Sequence, residues 1–243
     1  MSSSRRRRLV WLLVVQILGG SFAIGPLVTG AAGASGKPLP ACRYDDVLTA
    51  RHSYDAWDKT VLDPIYMVPR GYVPNDLVNV SSAGLSGGGK IRRVAQDALR
   101  EMTAAAKSAG KPIGAASAYR SYSTQSSIFR SNVRRSGFTA AALVSARPGH
   151  SEHQLATTID FKSNGGRAPW YVGDWAQVPA GRWMKENAWK FGWVMSYPKG
   201  RTNRTCYRYE PWHYRYVGRD SARAIHESGL SLREWLWAQG YGE

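Results

Sequence analysis

The sequence predicts an α+β fold in one main domain, on three observations. Segments with helical and strand periodicity mix without the βαβ rhythm of a doubly wound sheet. Hydrophobic residues make up 43% of the chain and aromatic ones 12%, the composition of a protein with a core and not of a disordered basic tail. At 243 residues the chain suffices for one full-sized domain with appendages and is too short for two large ones.

Taken in order, the first segment is 1–34. Arg5 to Arg8 precede the apolar run Leu9 to Leu18, interrupted only by Gln16, and no charge follows until Lys37. This is the pattern of a secretory signal, with Ala32-Gly33-Ala34 offering a cleavage site before Ser35 and the paired arginines permitting a twin-arginine route. The 28 uncharged residues before Lys37 are also long enough for a retained membrane anchor, although Gly19-Gly20 and Pro26 interrupt a continuous helix. Either reading puts the remainder outside the cytoplasmic membrane. There Cys42 and Cys206, the two cysteines of the chain, either form one bridge between the lead-in and the loop before Glu210 or stay as thiols. Two cysteines exclude a disulfide-dense scaffold and a four-cysteine metal site.

Residues 35–62 read as a polar, irregular lead-in, and 63–243 as the domain. The prolines of 63–74 impose extended or turn conformations. Residues 81–89 are rich in Ser and Gly and read as a slack loop. Val94, Ala98, Met102 and Ala105 recur at helical spacing up to a stop at Gly110. Ile113 to Ala118 suits a buried strand, 124–135 and 140–146 suit helices ended by Gly137 and Pro148-Gly149, and Leu155 to Phe161 suits a strand. Residues 183–191 look helical, 192–197 extended, and 212–217 alternate like a strand. Helices over about 219–228 and 231–239 close the chain, with Leu232, Trp235 and Leu236 as a packing stripe.

The formal net charge is +16. Without Arg5 to Arg8 it is still +12, 29 basic against 17 acidic side chains, so the excess belongs to the exported part. Such a surface attracts polyanions, and outside the membrane anionic wall polymers or carboxylate-bearing substrates are better candidates than nucleic acid.

Several short motifs fail in context. Gly84-Leu85-Ser86-Gly87-Gly88 spells a serine-hydrolase elbow, but its crowded glycines do not suit a tight strand-to-helix turn. A phosphate loop ending at Lys90 lacks the Ser or Thr that would hold magnesium, since Ile91 follows. Ser108-Ala109-Gly110-Lys111 falls at a helix end with no Lys-Thr-Gly elsewhere. His226-Glu227 has no second histidine at helical metal spacing.

Five histidines remain as chemical candidates. His153 follows a Pro-Gly turn and precedes Asp160 by seven residues, while Glu210 precedes His213 by three at the start of an aromatic strand. Two imidazoles and a carboxylate make a three-ligand zinc site with one position open, and a second carboxylate supplies a base. On a regular strand residues seven apart face opposite sides, so His153 must lie before the strand for it and Asp160 to converge. The alternative is a loop histidine, a solvated Asp160 and a capping Glu210.

Ser151-Glu152-His153 through Asp160, Glu210-Pro211-Trp212-His213 and the upstream Ser117 to Gln125, with the lead-in Tyr72 to Leu77, resemble the VanY-type D-alanyl-D-alanine carboxypeptidases over roughly 65–220. The resemblance implies a compact zinc-peptidase domain with a small, mainly antiparallel sheet flanked by helices, shared with D-Ala-D-Ala dipeptidases and the N-terminal sonic hedgehog domain. It implies Zn2+ held by His153, Asp160 and His213, Glu210 as catalytic base and Arg120 at the oxyanion. Ser151 and Gln125 fall at positions implied to shape or contact the substrate. Ser151 as a backbone cap, Gln125 as an exposed helix residue and Arg120 as a solvated arginine stand as alternatives. Ala156 and Thr158 replace the family's usual glycine and alanine, which matters if the backbone at Ala156 needs a positive φ.

The function implied is removal of the terminal D-alanine of peptidoglycan stem peptides. L,D-carboxypeptidase or endopeptidase activity on the same scaffold, and a non-catalytic zinc-containing wall-binding module, are the alternatives. Partners expected are stem peptides and anionic wall polymers, with no nucleic acid and membrane contact only through 1–34.

Overall fold

The computed structural model describes residues 37–242; the signal or anchor expected over 1–34 lies outside the described residues. Two short ladders come first: β1 (Val47–Leu48) pairs in parallel with β2 (Tyr66–Met67), and β3 (Leu77–Asn79) antiparallel with β4 (Lys90–Arg92). Then follow α1 (Gln96–Ser108), β5 (Ile113–Ser117), α2 (Tyr122–Ser136), α3 (Phe138–Ala142), β6 (Thr158–Ser163) and α4 (Pro179–Asn187). The chain closes with β7 (Trp193–Met195), α5 (Thr202–Thr205), β8 (His213–Tyr216), α6 (Arg219–Ser228) and α7 (Leu232–Ala238). β5, β6, β8 and β7 form, in that order, one antiparallel four-stranded sheet.

Because side chains alternate along a strand, this sheet has two unlike faces. Ile159 and Phe161 of β6, Tyr214 of β8 and Trp193 of β7 are buried in one apolar cluster with Leu99 and Met102 of α1 and Met184 of α4. Phe161 meets Trp193 and Tyr214 edge-on, at centroid distances of 5.7 and 5.9 Å. Burying each such side chain contributes roughly 1.5–3 kcal/mol. The intervening residues Asp160, His213 and Arg215 take the opposite face. Asp160 lies directly across from His213 in the β6–β8 register, and directly opposed residues of antiparallel strands project on the same side. A slip of one residue would drive both into the apolar layer, so the hydrophobic face fixes the polar one. A register shift between Ala115 and Ser117 sets Ser117 opposite Asp160, which brings the exit of β5 to the same place.

Three local expectations change. The strand expected from Leu155 begins only at Thr158, because Glu152–Leu155 form a 3-10 turn that ends on Ala156 with φ 57°. Val94 is exposed and precedes α1; the buried stripe runs through Ala98, Leu99, Met102 and Ala106. The Ser/Gly segment is not slack. Ser86 bridges to Gly114, and a Cβ on Gly87, at φ 99°, would stand 2.3 Å from the Ala115 carbonyl oxygen, so the loop lies against β5 where only glycine fits.

At the C-terminal end Ser231 and Glu234 form a reciprocal capping box at the start of α7, and Leu232 and Leu236 are buried with Val61, Val194 and Ile225. Cys42 and Cys206 are joined in a disulfide with Cα atoms 5.4 Å apart. It fastens the segment before β1 to the chain four residues ahead of Glu210.

Candidate active site

The 3-10 turn before β6 carries His153 off the strand and above it. Its Nδ1–H donates to the Ala118 carbonyl at 2.7 Å, and since a carbonyl only accepts, the lone pair belongs to Nε2. That Nε2 is buried, makes no hydrogen bond, and stands 3.1 Å from Asp160 Oδ2. Burial first, then the charge of Arg120, push the His153 pKa down to about 4, so the ring is neutral at pH 7. The other Asp160 oxygen, Oδ1, lies 3.0 Å from His213 Nδ1. Burial alone would raise the Asp160 pKa, but the His213 imidazole, whose own pKa Asp160 and Glu152 raise to about 10 against burial, donates to it and holds the carboxyl far below the ordinary range. The ligand atoms of His153, Asp160 and His213 fall within 4.8 Å of one another, all three residues buried.

His213 turns its second nitrogen the other way. Its Nε2–H donates to Glu152 Oε2 at 2.9 Å. Glu152 also accepts from Ser196 Oγ at 2.6 Å and Arg215 Nη1 at 3.2 Å, and Arg215 donates to the carbonyls of Trp57 and Thr60 at 2.6 and 2.9 Å. Burial works against the Glu152 charge, yet the His213 hydrogen bond and the Arg215 guanidinium hold its pKa down to about 2. Glu152 therefore fixes the His213 ring with Nδ1 aimed at Asp160. A carboxylate behind an imidazole in this way is a common support for a metal ligand. The sequence reading missed Glu152, Ser196 and Arg215. The one available signal was a carboxylate directly before His153 in a stretch with no other charge.

Glu210 sits at the mouth of this cluster with Oε2 3.6 Å from His213 Nδ1. Burial pushes its pKa up to about 7, which suits a group that takes and returns a proton near neutrality. Arg120 follows the bulge of β5; its backbone N–H bonds the His153 carbonyl at 3.2 Å, and Nη1 lies 3.9 Å from Asp160 Oδ2. Arg120, Glu210 and Ser151 all line a cavity of about 690 Å³ that also reaches Asp160 and His213.

Gln125 stands apart from these. It is 1% exposed, neither a surface residue nor part of the cavity lining, and its amide donates to the Ala146 carbonyl at 2.7 Å. Since Ala146 lines the cavity, Gln125 braces the wall from behind. Ser151 precedes the 3-10 turn without a side-chain cap. His150, read as a loop residue, is buried and bonds the Asp63 carbonyl at 2.8 Å and Asp46 at 3.0 Å. Trp212 packs against the apolar cluster and meets Trp170 edge-on at 6.4 Å.

A family model for D-alanyl-D-alanine carboxypeptidase, VanY, matches residues 88–219, a span holding every side chain of this cluster. The chain belongs to the VanY family. The putative carboxypeptidase YodJ of Bacillus subtilis is 41% identical over 178 residues, 70% of this chain and 64% of its own length. The chain thus spans just under two thirds of that relative. Among solved structures, the L,D-carboxypeptidase LdcB is similar with a TM-score of 0.66 and 35% identity, over 73% of this chain and 84% of that one. A vancomycin-resistance D,D-pentapeptidase VanY in complex with Zn(II) gives a TM-score of 0.63 and 30% identity, over 74% and 99%. The mixed helices and small sheets seen here are the fold of the VanY-type zinc peptidases.

Proposed function

We propose that this VanY-family chain is an extracytoplasmic zinc carboxypeptidase that removes the terminal D-alanine of peptidoglycan stem peptides. The observation that carries the reading is the buried, unpartnered Nε2 of His153, aimed with Asp160 and His213 Nδ1 at one point beside a cavity. Two imidazole nitrogens and a carboxylate are a donor set suited to zinc, with a fourth position left for chemistry.

When bound, zinc supplies a Lewis acid that acidifies water to a pKa near 7 and polarises a carbonyl. In this reading His153, Asp160 and His213 hold the ion. Glu210 takes the proton of the attacking water at Oε2 and returns it to the nitrogen of the leaving D-alanine. Arg120 donates to the oxygen of the scissile carbonyl as charge gathers there. The ring of His213 stays fixed throughout by Glu152. The enzyme class fits better than a wall-binding module, because a base and an oxyanion donor flank the same cavity as the ligand cluster.

The L,D-carboxypeptidase reading is favoured by the likeness to LdcB and to a second L,D-carboxypeptidase, DacB. Incubation with pentapeptide and tetrapeptide stems separates the two. Release of D-alanine from the pentapeptide, abolished by a chelator, is the expected result; release from the tetrapeptide alone assigns L,D specificity, and release from neither removes the enzyme reading. Glu210→Gln is expected to keep zinc and lose about 10²–10⁴-fold in kcat. Residues 1–34 as signal or anchor, and anionic wall polymers as partners of the basic surface, complete the proposal. Among the described residues no helix is long and apolar enough to cross a membrane.

A further inference from the structure

The catalytic cavity has an uneven charge. Three arginines line it, Arg120 and the more exposed Arg135 and Arg208, against two acidic residues, Asp160 and Glu210. Both carboxylates belong to the inner end, within 3.0 and 3.6 Å of His213 Nδ1, and Arg120 is held there by Asp160 at 3.9 Å. Arg135 and Arg208 are left over. Among the described residues neither forms an ion pair with a carboxylate, so the outer part of the cavity carries two uncompensated positive charges.

Their placement follows from the chain. Arg208 precedes Glu210 by two residues, a span of at most about 7 Å of backbone, and its own N–H is fixed on the Leu143 carbonyl at 2.9 Å. Arg208 and Glu210 line the cavity together, while the hydroxyl of the intervening Tyr209 turns to Asp174 Oδ1 at 2.9 Å. Arg135 comes from α2, where Ile128, Asn132 and Arg135 are spaced i, i+4, i+7 and form one helix face along the cavity. Its guanidinium donates to Asn132 Oδ1, a neutral partner that orients it without cancelling its charge.

We propose that Arg208 and Arg135 form a carboxylate-binding subsite that reads a free carboxylate of the peptide away from the scissile carbonyl. The forked donors of a guanidinium match the two oxygens of a carboxylate, and hydrogen bonds to a charged partner exceed those to a carboxamide. The occupant rests on the peptidase reading above. Its carboxylate comes either from the C-terminal residue that leaves or from a side chain upstream of the scissile bond.

The test uses a pentapeptide ending in D-Ala-D-Ala with one upstream side-chain carboxylate, and two analogues in which either the terminal or the side-chain carboxylate is a carboxamide. Dissociation constants are measured on the zinc-loaded Glu210→Gln protein, with and without Arg208→Ala or Arg135→Ala. The parent peptide is expected to bind roughly tenfold more tightly than one of the analogues, and each arginine substitution is expected to pull that ratio toward one. Arg208→Lys should restore only part of it, because an ammonium lacks the fork. The analogue that shows the effect identifies which carboxylate is read. Equal ratios in the parent and both arginine variants would overturn the subsite. Hydrolysis of the parent peptide by the otherwise unsubstituted protein is read separately: its failure, with the binding ratio intact, would count against the peptidase reading and leave the subsite standing.

Discussion

The two faces of the β5-β6-β8-β7 sheet are built from the same strands and obey opposite rules. On one, Ile159, Phe161, Trp193 and Tyr214 close an apolar layer against α1 and α4. On the other, Asp160 and His213 stand in register with Glu152, Ser196 and Arg215 around them, a buried polar network in which nearly every partner is charged. Buried charges cost free energy unless paired, so this face stabilises the molecule little by itself. The apolar face supplies the free energy that holds it in place. Register transmits one to the other: the alternation that buries Phe161 forces Asp160 outward to meet His213.

The difference can be broken from either side. Phe161→Ala should destabilise the fold by about 3–5 kcal/mol, read as a shift in denaturant midpoint. Zinc affinity of the molecules still folded should stay unchanged. Equal losses in both would mean that the two faces are not separable.

The pH profile probes the polar face alone. Glu210, with its pKa raised to about 7 by burial, acts as a base only when ionised. The rate should therefore fall as pH drops below that pKa, about tenfold per unit on the acid limb. Zinc in the adjacent cluster adds positive charge and moves the limit below 7. In Glu210→Gln the acid limb should vanish from whatever activity remains. A profile that rises toward acid would contradict the assignment of Glu210 as base.

Glu152→Gln sharpens the comparison further. It keeps the shape and a hydrogen-bond acceptor but removes the charge behind His213, and zinc affinity should fall about 10–100-fold, measured by competition with a chromophoric chelator. An unchanged affinity would reduce Glu152 to a structural role.

The smallest effect is expected at the junction of the faces. Ala156 holds φ 57°, a region that costs an L-residue roughly 1–2 kcal/mol. Ala156→Gly should relieve part of that and raise stability by about 0.5–1 kcal/mol, less than the full strain because glycine also loosens the unfolded chain. A destabilising result would show that the alanine methyl packs usefully there.

These particulars also explain what the sequence made legible. The cores of β6 and β8 could be read because alternation is a local signal, and Asp160 and His213 came with them. The requirement that His153 leave the strand was legible as a parity argument, but the device was not. The alanine itself gives no sign of a left-handed φ, and the one pointer to it was the glycine usual at Ala156 in the family; the strand was begun three residues early, at Leu155 instead of Thr158. The Ser/Gly segment looked slack since composition reports freedom of the free chain and not the close approach of Gly87 to Ala115. Glu152 was hidden for a different reason. Its partners Ser196, His213 and Arg215 lie 44 to 63 residues away, and only the fold brings them together. Gln125 was read as shaping or contacting the substrate, and the fold sets it behind the wall on Ala146, a place from which it shapes the cavity without lining it.

The claim on which the rest depends is that sheet register and one strained turn assemble His153, Asp160 and His213 into a single metal site. Direct zinc titration of the purified protein, with metal content measured after dialysis, tests it. One zinc per chain is expected, and His153→Ala, Asp160→Ala and His213→Ala should each lose it while their circular dichroism stays that of a folded protein. Full retention of zinc in all three variants, or no zinc in the unsubstituted protein, would contradict it.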